Sequence, residues 1–493
     1  MPQASSVYQT VKVIPLSKML FYSLVFLLPI STGKVFFSDQ SFFHGYHVFY
    51  HSFWLYLTDF IFGGLMLAWL YDISREISLK QFFQRLYTAI SHDILYLSTF
   101  IFWLILAVSV IISRETLLSA YGFARFTEYL LIFVYVRENI IISREKNIFF
   151  WLILAISVLE AGLGLAQYLN QGSFGLKYLG ESYLAPGMRG IAEFISQGIG
   201  SWQGISREML VMRAYGTLPH PNLLGVFLLT AFVANIWLIY GSKKSISREI
   251  LLSLSLILLS TGLVLTYSRA VWFGAILALI ILFIAGRIVK KRLFTRMQSG
   301  QRIIEEPNYY PKNVAVILVV LLFALILNLA LFGQQIKDRL QGRGAAVFAE
   351  QESFVDRARF ASVSRETIRT DPFFGVGLRN FIARMDEFNT GERLRPEQHQ
   401  PVHNIYLLIA AETGLLGLAA FLFLLFNIAK SGIVRFWRTK ADANRGETFI
   451  LLVIFSGFLF LGLFDHYFIS LHPTAMLFWI VAGLVVHRQP QTS

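Results

Sequence analysis

Val314–Phe332 reads VAVILVVLLFALILNLALF, nineteen residues without a charge and with Asn328 as the lone polar side chain. At the helical rise this run is about 28 Å long, close to the roughly 30 Å hydrocarbon core of a bilayer. A helix at the surface of a soluble protein keeps a polar stripe; this run has none and reads as a membrane span. Working outward, eleven comparable stretches appear: Ser17–Phe37, Phe53–Tyr71, Ile94–Ile112, Leu117–Val136, Ile148–Leu169, Pro221–Tyr240, Leu251–Tyr267, Ala270–Ile288, Asn404–Ile428, Phe449–Phe464 and Ile469–Val486. The expectation is an all-α polytopic membrane protein of about twelve transmembrane helices.

Composition agrees. Of 493 residues 55% are hydrophobic and only 15% charged, with a mean hydropathy of +0.58, whereas soluble chains carry about 25% charge. The formal charge of +13 would raise nucleic acid as a partner in a soluble protein; here the basic residues must first be sorted by membrane side. With the N-terminus inside, the inner segments hold 24 Lys and Arg, including Arg287, Lys290, Lys291, Arg292 and Arg296, against three in the short outer connections. That bias puts both termini in the cytoplasm. No small-residue cleavage site follows the first span, so it reads as a retained helix. The absence of cysteine excludes disulfides, iron–sulfur clusters, thiolate zinc sites and a cysteine nucleophile.

Two outer connections are too long for turns, about 170–220 and 333–402. The chain accordingly divides into an N-terminal membrane region, 1–212, with about five spans plus the first long loop, and a second region, 213–493, containing the second. Within that second loop Phe354 to Thr370 has helical character and stops at Asp371-Pro372. Ser-Arg-Glu recurs at Ser74, Ser113, Ser143, Ser206, Ser247 and Ser364 without a constant period. At span edges such a serine is expected to cap a following helix.

Charges at membrane depth are costly and point to function by default: Asp59, Arg125, Glu128, Glu160, Arg269 and Glu412. Arg125 and Glu128, one turn apart, can neutralise each other, and structural pairing accounts equally for Asp59 and Glu160. Arg269, in Thr266-Tyr267-Ser268-Arg269, is wedged between two apolar runs at the outer interface, where it either snorkels to headgroups or fixes an anionic ligand. Arg213 opens Arg213-Ala214-Tyr215-Gly216-Thr217-Leu218-Pro219-His220-Pro221-Asn222, with Pro221 placed for the first turn of a helix. Two arginines from different outer segments can clamp a phosphate. His403-Asn404 begins the tenth span and precedes Gly414-Leu415-Leu416-Gly417; at an outer helix start the imidazole is expected to be wet and to titrate near neutrality. Glu412, nine residues on, falls on the opposite helix face and does not orient it. His44, His47 and His51 would share a helix face, yet no carboxylate accompanies them; HExxH, Asp-x-Asp and P-loop motifs are missing, so no metal and no cofactor is expected.

Taken together, Gly216-Thr217 with Pro221-Asn222, Thr266–Arg269, Asp371-Pro372-Phe373-Phe374-Gly375-Val376-Gly377-Leu378 with Asn380-Phe381, and His403-Asn404-x9-Gly414-x2-Gly417 resemble the O-antigen ligase and polymerase superfamily. The likeness covers about Arg213 to the end, including Asp465-His466-Tyr467. It implies a GT-C-like architecture in the bacterial cytoplasmic membrane. It also implies metal-independent, inverting transfer of a glycan from undecaprenyl diphosphate to a hydroxyl at the outer face. By that resemblance Arg213 and Arg269 hold the diphosphate and His403 is the base, with Arg189, Arg207 and Arg357 as rivals to Arg213. Arg357, Arg379, Arg393, Arg395 and Asn404 then become contacts for glycan, phosphate or acceptor. The implied partners are the lipid-linked glycan, the bilayer and an acceptor: lipid A core, a growing polymer, a protein or a cell-wall polymer; nucleic acid is not among them. A lipid-linked oligosaccharide flippase is the rival class, but it needs two matching halves, which the sequence does not show, and its charges at midplane, whereas Arg213, Arg269 and His403 map to the outer edge.

Overall fold

The computed structural model describes residues 15–487 apart from 44, 141–144, 189, 198–207, 242–244, 299–310, 342–345, 390–393, 396–397 and 439–442. His44, Arg189, Arg207, Arg393, Ser143, Ser206 and the side chains of the Arg287–Arg296 cluster therefore lie outside the described residues.

Each apolar run contains a helix. In chain order these are α1 (Leu16–Leu27), α2 (Leu57–Glu76), α3 (Leu79–His92), α4 (Ile94–Ile112), α5 (Thr116–Asn139), α6 (Glu145–Asn170), α7 (Pro221–Tyr240), α8 (Ile246–Leu265), α9 (Arg269–Gln298) and α10 (Pro311–Gln341). They continue with α11 (Ala346–Thr370), α12 (Met385–Phe388), α13 (Ile405–Arg438), α14 (Ala443–Leu461), α15 (Tyr467–Ser470) and α16 (His472–Val485). Among the described residues eight helices (α2, α4 to α8, α10 and α13) are long and apolar enough to cross a membrane; α1, the first part of α9 and α16 are shorter apolar helices. The protein is thus an all-α polytopic membrane protein.

Six strands form three small antiparallel hairpins: β1 (Gly33–Phe36) with β4 (Phe53–Tyr56), β2 (Phe42–Phe43) with β3 (Tyr46–His47), and β5 (Glu193–Gln197) with β6 (Glu208–Met212). Two expected spans are corrected here. Helix α1 ends at Leu27 and the chain reaches Phe36 as a strand, and Phe53–Tyr56 is a strand before α2 begins. Aromatic and β-branched residues satisfy a hydropathy window in either conformation, and backbone pairing between the two segments decides for strand.

Bonds between helix ends show that successive long helices run in alternating directions. At one end Thr217 Oγ1 lies 3.0 Å from the Pro29 carbonyl oxygen, Arg339 Nε donates to the Tyr267 carbonyl (3.1 Å), and Ile405 N to the Gly462 carbonyl (2.9 Å). At the other end Ser17 Oγ donates to Asp72 Oδ2 (2.8 Å), Arg137 pairs with Asp93, and Asn313 Nδ2 donates to the Ile239 carbonyl (3.0 Å). All three hairpins and the segment from α11 to α12 share the first face. The two sequence regions pack as one body, with α4 against α13 and α5 against α16.

Candidate active site

The arm that carries Arg213 is built from its neighbours. Glu160 on α6 accepts the Thr217 N–H (2.7 Å) and hydroxyl (2.6 Å), Gln167 accepts the Gly216 N–H (2.8 Å), and Ala214 N donates to the Leu265 carbonyl (2.9 Å). Gly216 takes a φ of 65°, which the tight turn requires. Glu160 is therefore a structural acid that braces this turn. Helix α7 starts at Pro221 as its spacing predicts, with His220 as the N-cap whose Nδ1 accepts the Asn222 N–H (3.1 Å). Held this way, buried Arg213 donates from Nε to the Thr266 carbonyl (2.6 Å) and from a terminal nitrogen to Asn222 Oδ1 (2.7 Å).

Asn222 passes the connection on: its Nδ2 donates to Asp465 Oδ2 (2.8 Å), between α14 and α15. Asp465 Oδ1 accepts the His466 N–H (2.9 Å), and His466 Nδ1 meets Ser470 Oγ at 2.5 Å. His403 lies against this group, its ring parallel to Phe360 (centroids 6.0 Å) and edge-on to His466 (5.2 Å). Arg213 and His403, 190 residues apart, are thus brought together through Asn222 and Asp465. The expectation of a wet histidine is corrected: the ring is wedged between side chains, and its Nδ1 is buried with no partner among the described residues. Burial pushes its pKa below the ordinary value; Asp465 pulls it back up and Arg357 pushes it down again. Burial also drives His466 to about 3. Burial alone would raise Asp465, yet the surrounding His466, His403 and Arg357 hold it at about 2, so it is a carboxylate at neutral pH.

Burial, together with the like charges of Arg339 on α10 and Arg357 on α11, lowers Arg213 to about 9, leaving it charged at pH 7. Its two hydrogen-bond acceptors are neutral groups. Cations from three elements therefore converge here. Arg339 lies in the second long outer connection with no motif to mark it among that segment's arginines; only the fold turns it toward the Tyr267 carbonyl. Arg269 is the half-buried first residue of α9, three positions past the carbonyl that receives Arg213. Asn404 has a structural task. Its Oδ1 caps α13 by accepting Tyr406 N (2.9 Å) and Leu407 N (3.0 Å), and its Nδ2 donates to the Leu463 carbonyl (3.1 Å). Arg379, with a φ of 58°, lies apart from the cluster, bonded to the Tyr50 carbonyl and over the Tyr121 ring (4.9 Å).

The spacing of glycines after His403 has a mechanical cause. Gly414 (φ 71°, ψ −177°) breaks α13, and the segment after α11 docks there: Val376 N donates to the Ala411 carbonyl (3.0 Å), Gly377 N to the Glu412 carbonyl (2.9 Å), and Leu415 N to the Pro372 carbonyl (2.7 Å). A Cβ on Gly375 would stand 2.5 Å from the Ala411 carbonyl oxygen. The 333–402 segment is correspondingly no open loop: α10 runs on to Gln341, α11 ends at Thr370 as expected, and α12 follows.

The remaining charged groups pair. Arg125 grips Asp59 with both terminal nitrogens (2.6 and 2.8 Å) and also meets Glu128 (2.8 Å). The expected serine caps are corrected. Ser74 Oγ donates to the Tyr71 carbonyl at the end of α2, Ser113 follows α4, Ser247 lies inside α8, and Ser364 donates to the Leu407 carbonyl from within α11. His47 and His51 lie on a strand and a short 3-10 turn, not on a common helix. His403, Asp465 and His466 each offer a ligand atom within 4.8 Å of the others, as do Asp59, Glu128 and His472, so either trio could in principle hold a cation. In the second trio the Arg125 guanidinium already occupies both carboxylates.

Fold and cluster define a polytopic membrane protein with convergent cations and a neutral imidazole at one face. A family model described as O-antigen ligase matches residues 254–422, which supports the resemblance of that stretch to the O-antigen ligase superfamily. The matched stretch contains Thr266–Arg269, Asp371–Leu378 and His403 through Gly417; Arg213 and Asp465 lie on either side of it. No curated protein matches the chain.

Proposed function

We propose that the chain is a membrane glycosyltransferase that moves a glycan from undecaprenyl diphosphate to an acceptor hydroxyl at the outer face of the cytoplasmic membrane, with twelve spans and both termini inside. The observation that carries this reading is the convergence of Arg213, Arg339 and Arg357 beside His403. Three cations that raise one another's energy favour an anion between them, and a diphosphate at the bilayer surface has the charge for that place. Arg269, three residues beyond Arg213's backbone anchor, joins Arg213 as a diphosphate ligand.

In this mechanism His403, kept neutral by burial, accepts the proton of the acceptor hydroxyl. The hydroxyl oxygen bonds to the anomeric carbon on the face opposite the diphosphate, and the bond from that carbon to the diphosphate oxygen breaks with inversion. Arginine charge stabilises the departing undecaprenyl diphosphate, the role that a cation plays in other phosphoryl leaving groups. Asp465, linked to Arg213 through Asn222, balances the charge that His403 gains.

The test is a transfer reaction with purified protein, lipid-linked glycan and acceptor, read as release of undecaprenyl diphosphate. His403→Ala abolishes transfer while donor binding survives, and Arg269→Ala weakens both. A His403→Ala protein that transfers at the normal rate overturns the base assignment. Trying lipid A core, free polymer and protein in turn as acceptor separates ligase, polymerase and protein transferase.

A further inference from the structure

Between α2 and α4 the chain makes no tight turn but a helix of 14 residues, α3, at the end of the molecule away from His403. The turns on either side are held at that face by Asp72, which accepts from Ser17 Oγ (2.8 Å), and by Asp93, which pairs with Arg137. Ser78 starts the helix with reciprocal bonds: its Oγ accepts the Gln81 N–H (3.4 Å), and Gln81 Oε1 accepts the Ser78 N–H (2.9 Å). At about 100° per residue Leu79, Phe82, Phe83, Leu86, Tyr87 and Ile90 fall within an arc of about 140°, and Gln81, Gln84, Thr88 and Ser91 lie opposite.

No residue of α3 is buried. Leu79 (73% exposed), Phe83 (59%) and Tyr87 (74%) stand out from the protein, so the apolar face is not spent on the core and needs another cover. Position and charge select that cover. Leu67, Leu70 and Tyr71 near the end of α2 and Ile94 at the start of α4 are exposed too, and both helices are long and apolar enough to cross a membrane. Helix α3 therefore begins and ends where two spans leave the hydrocarbon. It contains no Asp or Glu; Lys80 and Arg85 flank the apolar arc, one at each border, without a hydrogen bond or ion pair among the described residues. Arg75 precedes them, and between Asp72 and Asp93 the only acid is Glu76, exposed beside Arg75. Cations at the borders of an apolar face can lay their stems on acyl chains and reach headgroup phosphates.

We propose that α3 lies flat in the bilayer surface on the face away from the active site and binds anionic phospholipid headgroups, with Phe83 and Leu86 among the acyl chains and Lys80 and Arg85 on the phosphates to either side. A second copy of the chain is a poorer cover, because pairing two identical faces sets like charges against like. The contact holds whichever side of the membrane that face looks toward, and it is independent of the transfer reaction.

The chain has no cysteine, so a single one can carry a bimane fluorophore in the full-length protein reconstituted into vesicles. In Phe83→Cys the fluorophore should be quenched by lipids brominated in their acyl chains, and in Gln84→Cys, on the opposite face, by aqueous iodide. Iodide quenching without lipid quenching in Phe83→Cys overturns the proposal. Brominated phosphatidylglycerol and brominated phosphatidylcholine, supplied in turn, then measure headgroup preference. Phosphatidylglycerol should associate more strongly, and adding Lys80→Gln and Arg85→Gln to Phe83→Cys should lower that preference about fivefold per cation removed. Raising salt to about 1 M should lower it as well. Leu117→Cys, exposed at the opposite end of the molecule, is the control, and its lipid preference should not respond to the two substitutions. Equal quenching by the two lipids, or a preference that survives Lys80→Gln with Arg85→Gln, overturns the headgroup assignment. Unlabelled Phe83→Cys that forms disulfide-linked dimers in vesicles, with no lipid quenching of the labelled form, puts a second copy on the face and overturns the proposal.

Discussion

Replacing Gly414 by alanine tests whether docking of the segment after α11 onto the broken helix α13 sustains the site. The backbone at Gly414 has φ 71° and ψ −177°, a region that side-chain-bearing residues enter at a cost of about 1–3 kcal/mol. Its Cβ would also be driven into the backbone of Phe373 and Phe374, and overpacking of that kind adds about 1–3 kcal/mol. The sum, about 2–6 kcal/mol, is a large part of the roughly 5–15 kcal/mol by which folded domains are stable. Relief comes by lifting the segment away, which breaks the bonds from Val376, Gly377 and Leu415. Thermal unfolding of the detergent-solubilised chain followed by tryptophan fluorescence should show Gly414→Ala melting well below wild type, and limited proteolysis should open cleavage within 371–381. Gly333→Ala is the comparison: that glycine is helical and nothing lies within 4 Å of its would-be Cβ, so it melts at or slightly above wild type. Equal melting temperatures and equal protease resistance for Gly414→Ala and wild type would refute the reasoning.

The pH profile follows from His403. The working form is neutral, and burial holds its pKa below the ordinary 6.5, so transfer stays level as pH falls from 8 to 6.5 and declines only below that. Asp465→Asn removes the acid that raises this pKa, moving the decline to still lower pH; a wild-type decline centred above 6.5 contradicts the assignment. Asn222→Ala cuts the connection between Arg213 and Asp465, losing two hydrogen bonds to charged groups worth about 1.5–3 kcal/mol each. Donor KM should rise at least tenfold, and a value within twofold of wild type would show that the connection is dispensable. Chelation separates the two uses of the histidine cluster: transfer survives EDTA if arginines alone neutralise the leaving group, whereas loss restored by added magnesium would assign His403, Asp465 and His466 to a cation.

Much of the fold was open to reading because bilayer physics leaves few options. Runs such as Val314–Phe332 must be helical, and Pro221 and Asp371-Pro372 mark helix ends through local sterics. The hairpin of Gly33–Phe36 with Phe53–Tyr56 was not legible, since hydropathy does not distinguish an apolar strand from a few turns of helix and the pairing partner lies twenty residues away. At the site, Arg213 and His403 were identified from residue type and position beside the outer face. Asp465 was noticed only as part of Asp465-His466-Tyr467, and Arg339 not at all, because their roles come from tertiary contacts. Asp59 and Arg125 likewise had no visible bond until α2 and α5 packed. The glycines of the His403 motif were visible as spacing, but the cause at Gly414, backbone laid on backbone, was not.

Helices enter a membrane in the order in which the ribosome makes them, and the polar connections above have different waiting times. Asp59 precedes Arg125 by 66 residues, so the early helices can neutralise their own charges before α7 exists. Arg213 precedes Asp465 by far more, and Asn222 alone is separated from that acid by 243 residues. During biogenesis the Asp59–Arg125 pair can therefore form long before the Arg213–Asn222–Asp465 connection. The cluster around Arg213 and His403 gains Asp465 only when the segment after α14 is delivered.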